Sequence, residues 1–286
     1  MNSEELKRFI NNEFAQGNCI VAFLDILGFK EHVKKYINPE DTQDMEILEK
    51  IKSCLNDSFK IIEQEENKHN KLLRIKIFSD CTCASIPEML CLPNEASSLC
   101  LLITWVVSYN FNLIRRDIYP RGGISFGYHY EDENIIFSDG LIKAHKLENE
   151  IAIYPRTILD EELVHRLKWL WMDQRDTIEL FGTNKKIITD EEGIAFINPF
   201  NLVQSTDKWT YKNIKKQFKI EKDFRDYLLT IDNNYNNEIL KNLENKIEKF
   251  KNDERILIKY LWLKDLLNWN IDPKRSERKF EYLLKY

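Results

Sequence analysis

The sequence predicts an α+β fold: a mainly antiparallel, ferredoxin-like sheet with helices packed on it, followed by a helical C-terminal extension. Three observations carry this reading. Segments with strand and helix patterns follow one another as strand, helices, hairpin, helix, strand, short strand, helix, strand, which is not a strict β-α series. Cys19 to Leu24 is a continuous apolar run rich in β-formers, the pattern of a strand covered on both faces. After Ser205 the character changes: Lys208 to Tyr286 is dense in Lys, Glu, Asn and aromatic residues at helical spacing, with Pro273 its one proline. The expected division is a domain over 18–204 and a helical module over 205–286.

The elements follow in order. Gly28 and Phe29 lead from the first strand into a short helix over Lys30 to Tyr36. Gln43 to about Lys68 is a long amphipathic helix with Ile47, Ile51, Leu55, Phe59 and Ile62 on one stripe. Leu72 to Phe78 and Cys81 to Ile86 read as strands separated only by Ser79-Asp80, the spacing of a hairpin. Pro93 to about Asp117 is an apolar helix with Leu101, Trp105, Tyr109 and Leu113, and Pro120 stops it. Ile124 to Tyr128 is a strand preceded by Arg121-Gly122-Gly123, and Ile135 to Phe137 is a short one. Leu141 to Glu148 is helical, while Ile151 to Ile158 is a strand that Pro155 marks as an edge or an exposed end. Asp160 to about Trp171 is a helix, and Ile187 to Val203 is a strand pair around Asp190-Glu191-Glu192-Gly193.

At 286 residues with 43% apolar and 12% aromatic content, the chain can bury one large core or two modest ones. A net charge of -5, from 42 Lys+Arg against 47 Asp+Glu, offers no global attraction for nucleic acid or an anionic membrane. The charged start, Met1 to Lys7, has no apolar signal region, and no run approaches the ~18 apolar residues of a membrane span. The six cysteines, at 19, 54, 81, 83, 91 and 100, form no CxxC pair. Cys81 and Cys83 have no second ligand pair for zinc, so free buried thiols in a reducing, cytoplasmic setting are expected.

The chemistry is expected where two buried runs end in charge. Ile20 to Leu24 runs into Asp25, and Ile75 to Phe78 runs through Ser79 into Asp80. A carboxylate at the end of an apolar strand is costly to desolvate unless it is paired or holds a cation. A hairpin tip beside a strand end would bring Asp25 and Asp80 together in the geometry of a two-metal site. Ions about 3.5–4 Å apart there can clamp the attacking and leaving oxygens of a phosphoryl displacement. Leu27-Gly28-Phe29 turns into a helix N-terminus, where free N–H groups suit phosphate oxygens. Asp25 and Asp80 as plain turn and N-cap residues is the competing reading.

Four segments then resemble the class III nucleotide cyclases. Phe23-Leu24-Asp25-Ile26-Leu27-Gly28-Phe29 is similar to that family's first metal motif, and Phe78-Ser79-Asp80 sits where its second metal aspartate ends a hairpin. Arg121 to Gly127 resembles the glycine-bounded strand that follows, and Phe137 to Glu148 the segment opening the helix of substrate-orienting residues. The resemblance implies Mg²⁺ or Mn²⁺, two per site, at Asp25, Ile26 and Asp80. It also implies a nucleoside triphosphate substrate and a head-to-tail homodimer with both active sites at the interface. Gly28, Phe29, Lys76, Arg121 and Asp139 fall on nucleotide-binding positions.

The departures from the family pattern are specific. The ribose-orienting asparagine and transition-state arginine are replaced by Ile142 and Lys146. Lys146 keeps charge without the bidentate fork, and Arg156 and Arg121 are candidates to supply the rest. The base-reading pair is Lys76 and Asp139, which would suit adenine. The short glycine-rich strand, the Tyr154-Pro155-Arg156 segment and the helical tail look more like the bacterial Pycsar antiphage cyclases, which implies UTP or CTP and cyclic UMP or cyclic CMP. An adenylate or guanylate cyclase, an inactive nucleotide-binding relative and another two-metal enzyme on a ferredoxin-like palm stay open. His129 and His145, near the expected site, read as ordinary hydrogen-bonded histidines.

Overall fold

A computed structural model of the chain describes residues 15–39, 45–63, 73–88, 96–180, 182–201 and 221–284. The first half runs β1 (Ala15–Ile26), α1 (Phe29–Ile37), α2 (Ile47–Glu63), β2 (Arg74–Phe78), β3 (Cys81–Pro87), α3 (Ala96–Arg115) and β4 (Pro120–Glu131). The strands lie in the order β2-β3-β1-β4 and all pair antiparallel, the ferredoxin-like arrangement that the sequence predicts. The ends of the helix expected over 43–68, the start of the one expected over 93–117, and Cys91 lie outside the described residues.

β1 sits in the middle of this half and is covered on both faces, which explains its unbroken apolar run. Ile20, Ala22, Leu24 and Ile26 point into the main core against α3, with Trp105 and Tyr109 stacked at 5.2 Å between ring centroids. Ile47, Ile51 and Leu55 of α2 pack against the same core. Cys19, Val21, Phe23 and Asp25 point to the opposite face, as the two-residue period of a strand requires. α3 is long and apolar enough to cross a membrane by length and composition alone. However, 89% of its 98–115 window is buried in this core.

α4 (Asp139–Glu150) covers the second face, after the short β5 (Ile136–Ser138) that pairs with the end of β4. Its approach depends on glycine. A Cβ at Gly123 would run into the Ala144 carbonyl oxygen, and one at Gly127 would lie 2.7 Å from the Gly140 nitrogen. This corrects one expectation: Arg121-Gly122-Gly123 does not precede β4 but belongs to it. Pro120 is the first residue of the strand, a place where its missing N–H costs nothing, and α3 has already ended at Arg115.

The strand expected over 151–158 shrinks to β6 (Thr157–Leu159), and it is not an edge. β6 runs parallel to β4 and lies between β4 and β8 (Ala195–Ile197). The N–H groups of Ile151 and Ala152 instead turn back to the Leu147 carbonyl and close α4, which keeps that segment out of the sheet. α5 (Glu161–Asp173) starts on its Asp160 N-cap, whose side chain accepts from the Leu163 N–H at 2.7 Å. Short helices α6 (Arg175–Leu180) and α7 (Thr183–Lys186) lead to β7 (Ile187–Thr189), which pairs with β8 across the expected Asp190–Gly193 turn.

The C-terminal residues form α8 (Glu221–Lys249), α9 (Glu254–Ile271) and β9 (Glu281–Tyr282). The expected 204/205 division lies outside the described residues. β9 pairs with β7 and extends the same sheet. A second core joins Ile239 and Leu243 of α8 and Trp262, Leu266 and Trp269 of α9 to Phe111, Ile158, Ile188 and Phe196.

Candidate active site

Asp25 and Asp80 converge at the end of β1. The β2–β3 hairpin turns on Ser79 and Asp80, with Ser79 in the left-handed region at φ 61°, and its register sets Thr82 beside Leu24. One donor atom each from Asp25, Asp80 and Cys81 lie within 4.8 Å of one another. On the other side, Asp25 faces Arg121 across the β1–β4 ladder. The Arg121 Nε–H donates to Asp25 Oδ2 at 3.1 Å, and its Nη2 lies 2.6 Å from Glu148 Oε1.

The electrostatics follow from this packing. Burial pushes Asp25 up to about 6. The Arg121 hydrogen bond and charge pull against that rise, while Glu148 and Asp80 add to it. Burial and the Asp80 and Asp25 carboxylates likewise push the Cys81 thiol up to about 12, so it remains protonated and points to Asp80 Oδ1 at 3.8 Å. Asp25, Asp80 and Glu148 thus outnumber the one guanidinium among them. The two carboxylates are hard oxygen donors of the kind that Mg²⁺ and Mn²⁺ take.

The other sequence-predicted residues fall into distinct places. Ile26 buries its side chain in the main core, which leaves only its main chain as a donor. Gly28 takes φ 75°, open to glycine without strain, and caps α1; Phe29 packs its ring on the main core, so only its backbone N–H faces the turn. Lys76 donates to the Asp132 carbonyl, whereas Asp139 pairs with Lys143 at 2.7 Å, so the two do not pair with each other. Ile142 and Lys146 project from the outer face of α4, 69% and 68% exposed, and Lys146 lies 3.9 Å from Glu150.

Arg156 requires a correction. Its side chain is 2% exposed, pairs with Asp190 at 2.5 Å, and lies within 5.3–5.5 Å of the rings of Tyr154, Phe196 and Trp262. A guanidinium held this way is paired and enclosed in the second core, the setting of a structural cation rather than of the exposed one expected. His129 is also a core residue, bonded to Ser138 at 2.9 Å and Glu131 at 3.0 Å, and it pairs opposite Gly17 far along β1. His145 packs edge-on against Phe23 at 5.1 Å.

Sequence reasoning missed Glu148 and the place of Cys81. A signal for Glu148 existed: Gly140, Ala144 and Glu148 are spaced by four on the buried stripe of α4, and a carboxylate on such a stripe calls for a partner. Cys81 follows Asp80 directly at the hairpin tip.

No protein-family model and no curated protein matches the chain. Among solved structures it is similar to the catalytic core of a rhodopsin-guanylyl cyclase with converted specificity in complex with ATPαS. That match has 13% identity, spans 65% of this chain and 98% of that one, and has a TM-score of 0.40. It is also similar to the monomeric guanylyl cyclase domain of a RhoGC fusion protein from the aquatic fungus Blastocladiella emersonii, at 15% identity, 64% and 96% coverage and a TM-score of 0.41. A third is a class III adenylyl cyclase-like ATP-binding protein from Pseudomonas aeruginosa, at 12% identity, 53% and 35% coverage and a TM-score of 0.38.

Proposed function

We propose that the protein is a metal-dependent nucleotide cyclase that converts UTP or CTP to the 3′,5′-cyclic monophosphate and pyrophosphate. The observation that carries this reading is the convergence of Asp25 and Asp80, from separate strands, on one donor cluster beside the Gly28 turn and the N-terminus of α1. In the reaction the ribose 3′-oxygen forms a bond to the α-phosphorus, the bond from that phosphorus to the β-phosphate bridging oxygen breaks, and the 3′-hydroxyl proton passes to water. Divalent cations, when bound, lower the pKa of the 3′-hydroxyl and offset charge on the leaving pyrophosphate. Asp25 and Asp80 hold them, Arg121 and Glu148 fix the Asp25 carboxylate, and the free N–H groups after Gly28 face phosphate oxygens.

The pyrimidine preference draws on the likeness of the motifs to Pycsar cyclases and on one structural fact. In the free chain Lys76 donates to the Asp132 carbonyl and Asp139 pairs with Lys143, so an adenine would have to displace both partners. A role for the product as a second messenger in bacterial antiphage defence draws on the motif likeness alone. A homodimer fits the exposed Ile142 and Lys146, whose outward face is open to a second chain rather than to their own site.

Incubating the protein with each of the four NTPs and Mn²⁺, followed by mass spectrometry of the products, tests the reading. Cyclic UMP or cyclic CMP should form, and Asp25→Asn or Asp80→Asn should abolish it. No turnover of any NTP would sink it. The core position of Arg156 favours one second reading, a nucleotide-binding domain without activity. NTP-induced thermal stabilisation without product identifies that outcome.

A further inference from the structure

Among the described residues, two other than glycine take a positive φ, and both adjoin the candidate site. One is Ser79 at φ 61°, directly before Asp80. The other is Asp117 at φ 63°, two residues after α3 ends. A side chain in the left-handed region costs free energy that glycine would avoid, so an aspartate there points to work done by its carboxylate.

The turn itself is an ordinary helix ending. The Asp117 N–H donates to the Ile114 carbonyl and the Ile118 N–H to the Leu113 carbonyl, each at 3.0 Å, the paired bonds that usually place glycine at this position. What Asp117 adds is two side-chain contacts. Its Oδ1 accepts the Tyr119 hydroxyl at 2.6 Å, and its Oδ2 lies 2.8 Å from Lys246 Nζ on α8. Tyr119 is buried, and burial with the Asp117 charge pushes its pKa up, so the hydroxyl keeps the proton that it donates. α8 reaches this turn through Leu243, which shares the second core with Ile114 and Tyr119, and Tyr260 of α9 packs edge-on against the Tyr119 ring at 5.1 Å.

Tyr119 meets the site with its main chain. Its carbonyl accepts the N–H of Leu27, two residues after Asp25 and one before Gly28, at 2.9 Å. Next in the chain, Pro120 pairs with Ile26 and Arg121 with Asp25, whose carboxylate accepts the Arg121 Nε–H at 3.1 Å. Contacts that begin at Lys246 on α8 therefore end on the stretch of β1 that carries Asp25.

We propose that Asp117 and Tyr119 are positioning residues of the candidate site: the Asp117 carboxylate, held by Lys246, fixes the Tyr119 carbonyl on Leu27 and so sets where β1 releases Asp25 and the Gly28 turn. The C-terminal helices thus act on the site through its frame. The effect on the metal cluster rests on the metal reading above, whereas the fixing of Leu27 does not.

Hydrogen exchange of the full chain, read by NMR at the Leu27 and Val21 amides, tests this in the wild type, Asp117→Gly, Asp117→Asn and Lys246→Met, beside calorimetric titration with Mn²⁺. Val21 lies in the middle of β1, between β3 and β4, and reports on the ladder as a whole. Asp117→Gly should speed Leu27 exchange about fivefold or more relative to Val21, although glycine takes φ 63° freely and the turn survives. Lys246→Met, which keeps the stem and loses the charge, should act in the same sense. Asp117→Asn suits the left-handed region and still accepts from Tyr119, so it should stay within about threefold of wild type. Mn²⁺ affinity should fall about threefold or more in Asp117→Gly. A merely structural role would speed Leu27 and Val21 together; that result, or a Leu27 rate unchanged relative to Val21 in Asp117→Gly, overturns the proposal. Selective loosening of Leu27 with an unchanged Mn²⁺ affinity also overturns it, because the turn would then not position the cluster. Selective loosening in a protein that binds no Mn²⁺ upholds the fixing of Leu27 and removes the metal reading, and Mn²⁺ binding with Leu27 indifferent to Asp117 does the reverse.

Discussion

Asp25 is pulled in two directions. Burial favours its neutral form, with the Arg121 guanidinium opposing and Glu148 and Asp80 reinforcing, and the balance raises it from 3.8 to about 6. The folded state therefore holds this proton more tightly than the unfolded chain does. Its contribution to stability is complete below the unfolded value and is lost as pH rises through about 6. At neutral pH, without metal, Asp25→Asn should melt at the same temperature as the wild type or higher; a clear drop would show that the Arg121 pairing outweighs burial. A divalent cation held at the cluster as proposed above would compete with the proton for this carboxylate, so Mn²⁺ affinity measured by calorimetry should fall as pH is lowered through about 6. Glu148 raises the Asp25 pKa, so Glu148→Gln should move that fall to lower pH, and an unmoved midpoint would remove Glu148 from the site. Asp25 and Asp80 were legible in the sequence because a charge at the end of an apolar strand stands out against its neighbours. Arg156 was misleading for the complementary reason: an arginine between Pro155 and a β-rich segment looks exposed, and only tertiary packing reveals Asp190 and three rings around it.

The elements that hold the site depend on two glycines that look alike in sequence and act differently. Gly123 lets α4 lie against β4, because any Cβ there would meet the Ala144 backbone, and helix and strand cannot both keep their places. Gly123→Ala should cost about 2–3 kcal/mol in chemical denaturation and displace Glu148 from Arg121. Gly28 has nothing within 4 Å of its absent Cβ, and its only demand is φ 75°. Gly28→Ala should cost about 1 kcal/mol and leave the packing intact. Equal losses in the two variants would contradict this division. The same elements show how far pattern reading extends. β1, β3 and the hairpin are recovered within a few residues because apolar period and turn chemistry are local. β4 begins earlier than read and β6 is shorter and interior, because the glycines of β4 answer to a helix that follows later in the chain. The N–H groups of Ile151 and Ala152, in turn, are claimed by the carbonyl of Leu147.

At the scale of the molecule, the C-terminal helices are continuous with the sheet in packing. Trp262 is buried between Tyr154, Phe196 and Phe280, with centroid distances of 5.0, 5.4 and 5.9 Å, and β9 hydrogen-bonds to β7. A change in composition after Ser205 marked this region as a separate helical module, but composition cannot report which surface an amphipathic helix covers. If the core around Trp262 couples the regions, guanidinium unfolding followed by far-UV circular dichroism and by tryptophan fluorescence should give coincident transitions. Trp262→Ala should shift both together and cost about 3–5 kcal/mol, because it opens a cavity against aromatic rings from both regions. Two separated transitions, with only one moved by Trp262→Ala, would instead show an independently folding C-terminal unit. The coupled outcome has a consequence for the site: loosening α9 frees Tyr260 from Tyr119, and Tyr119 leads into Arg121. If the Asp25 and Asp80 cluster holds Mn²⁺ as proposed above, Trp262→Ala should therefore weaken that binding although Trp262 belongs to the second core and not to the cluster.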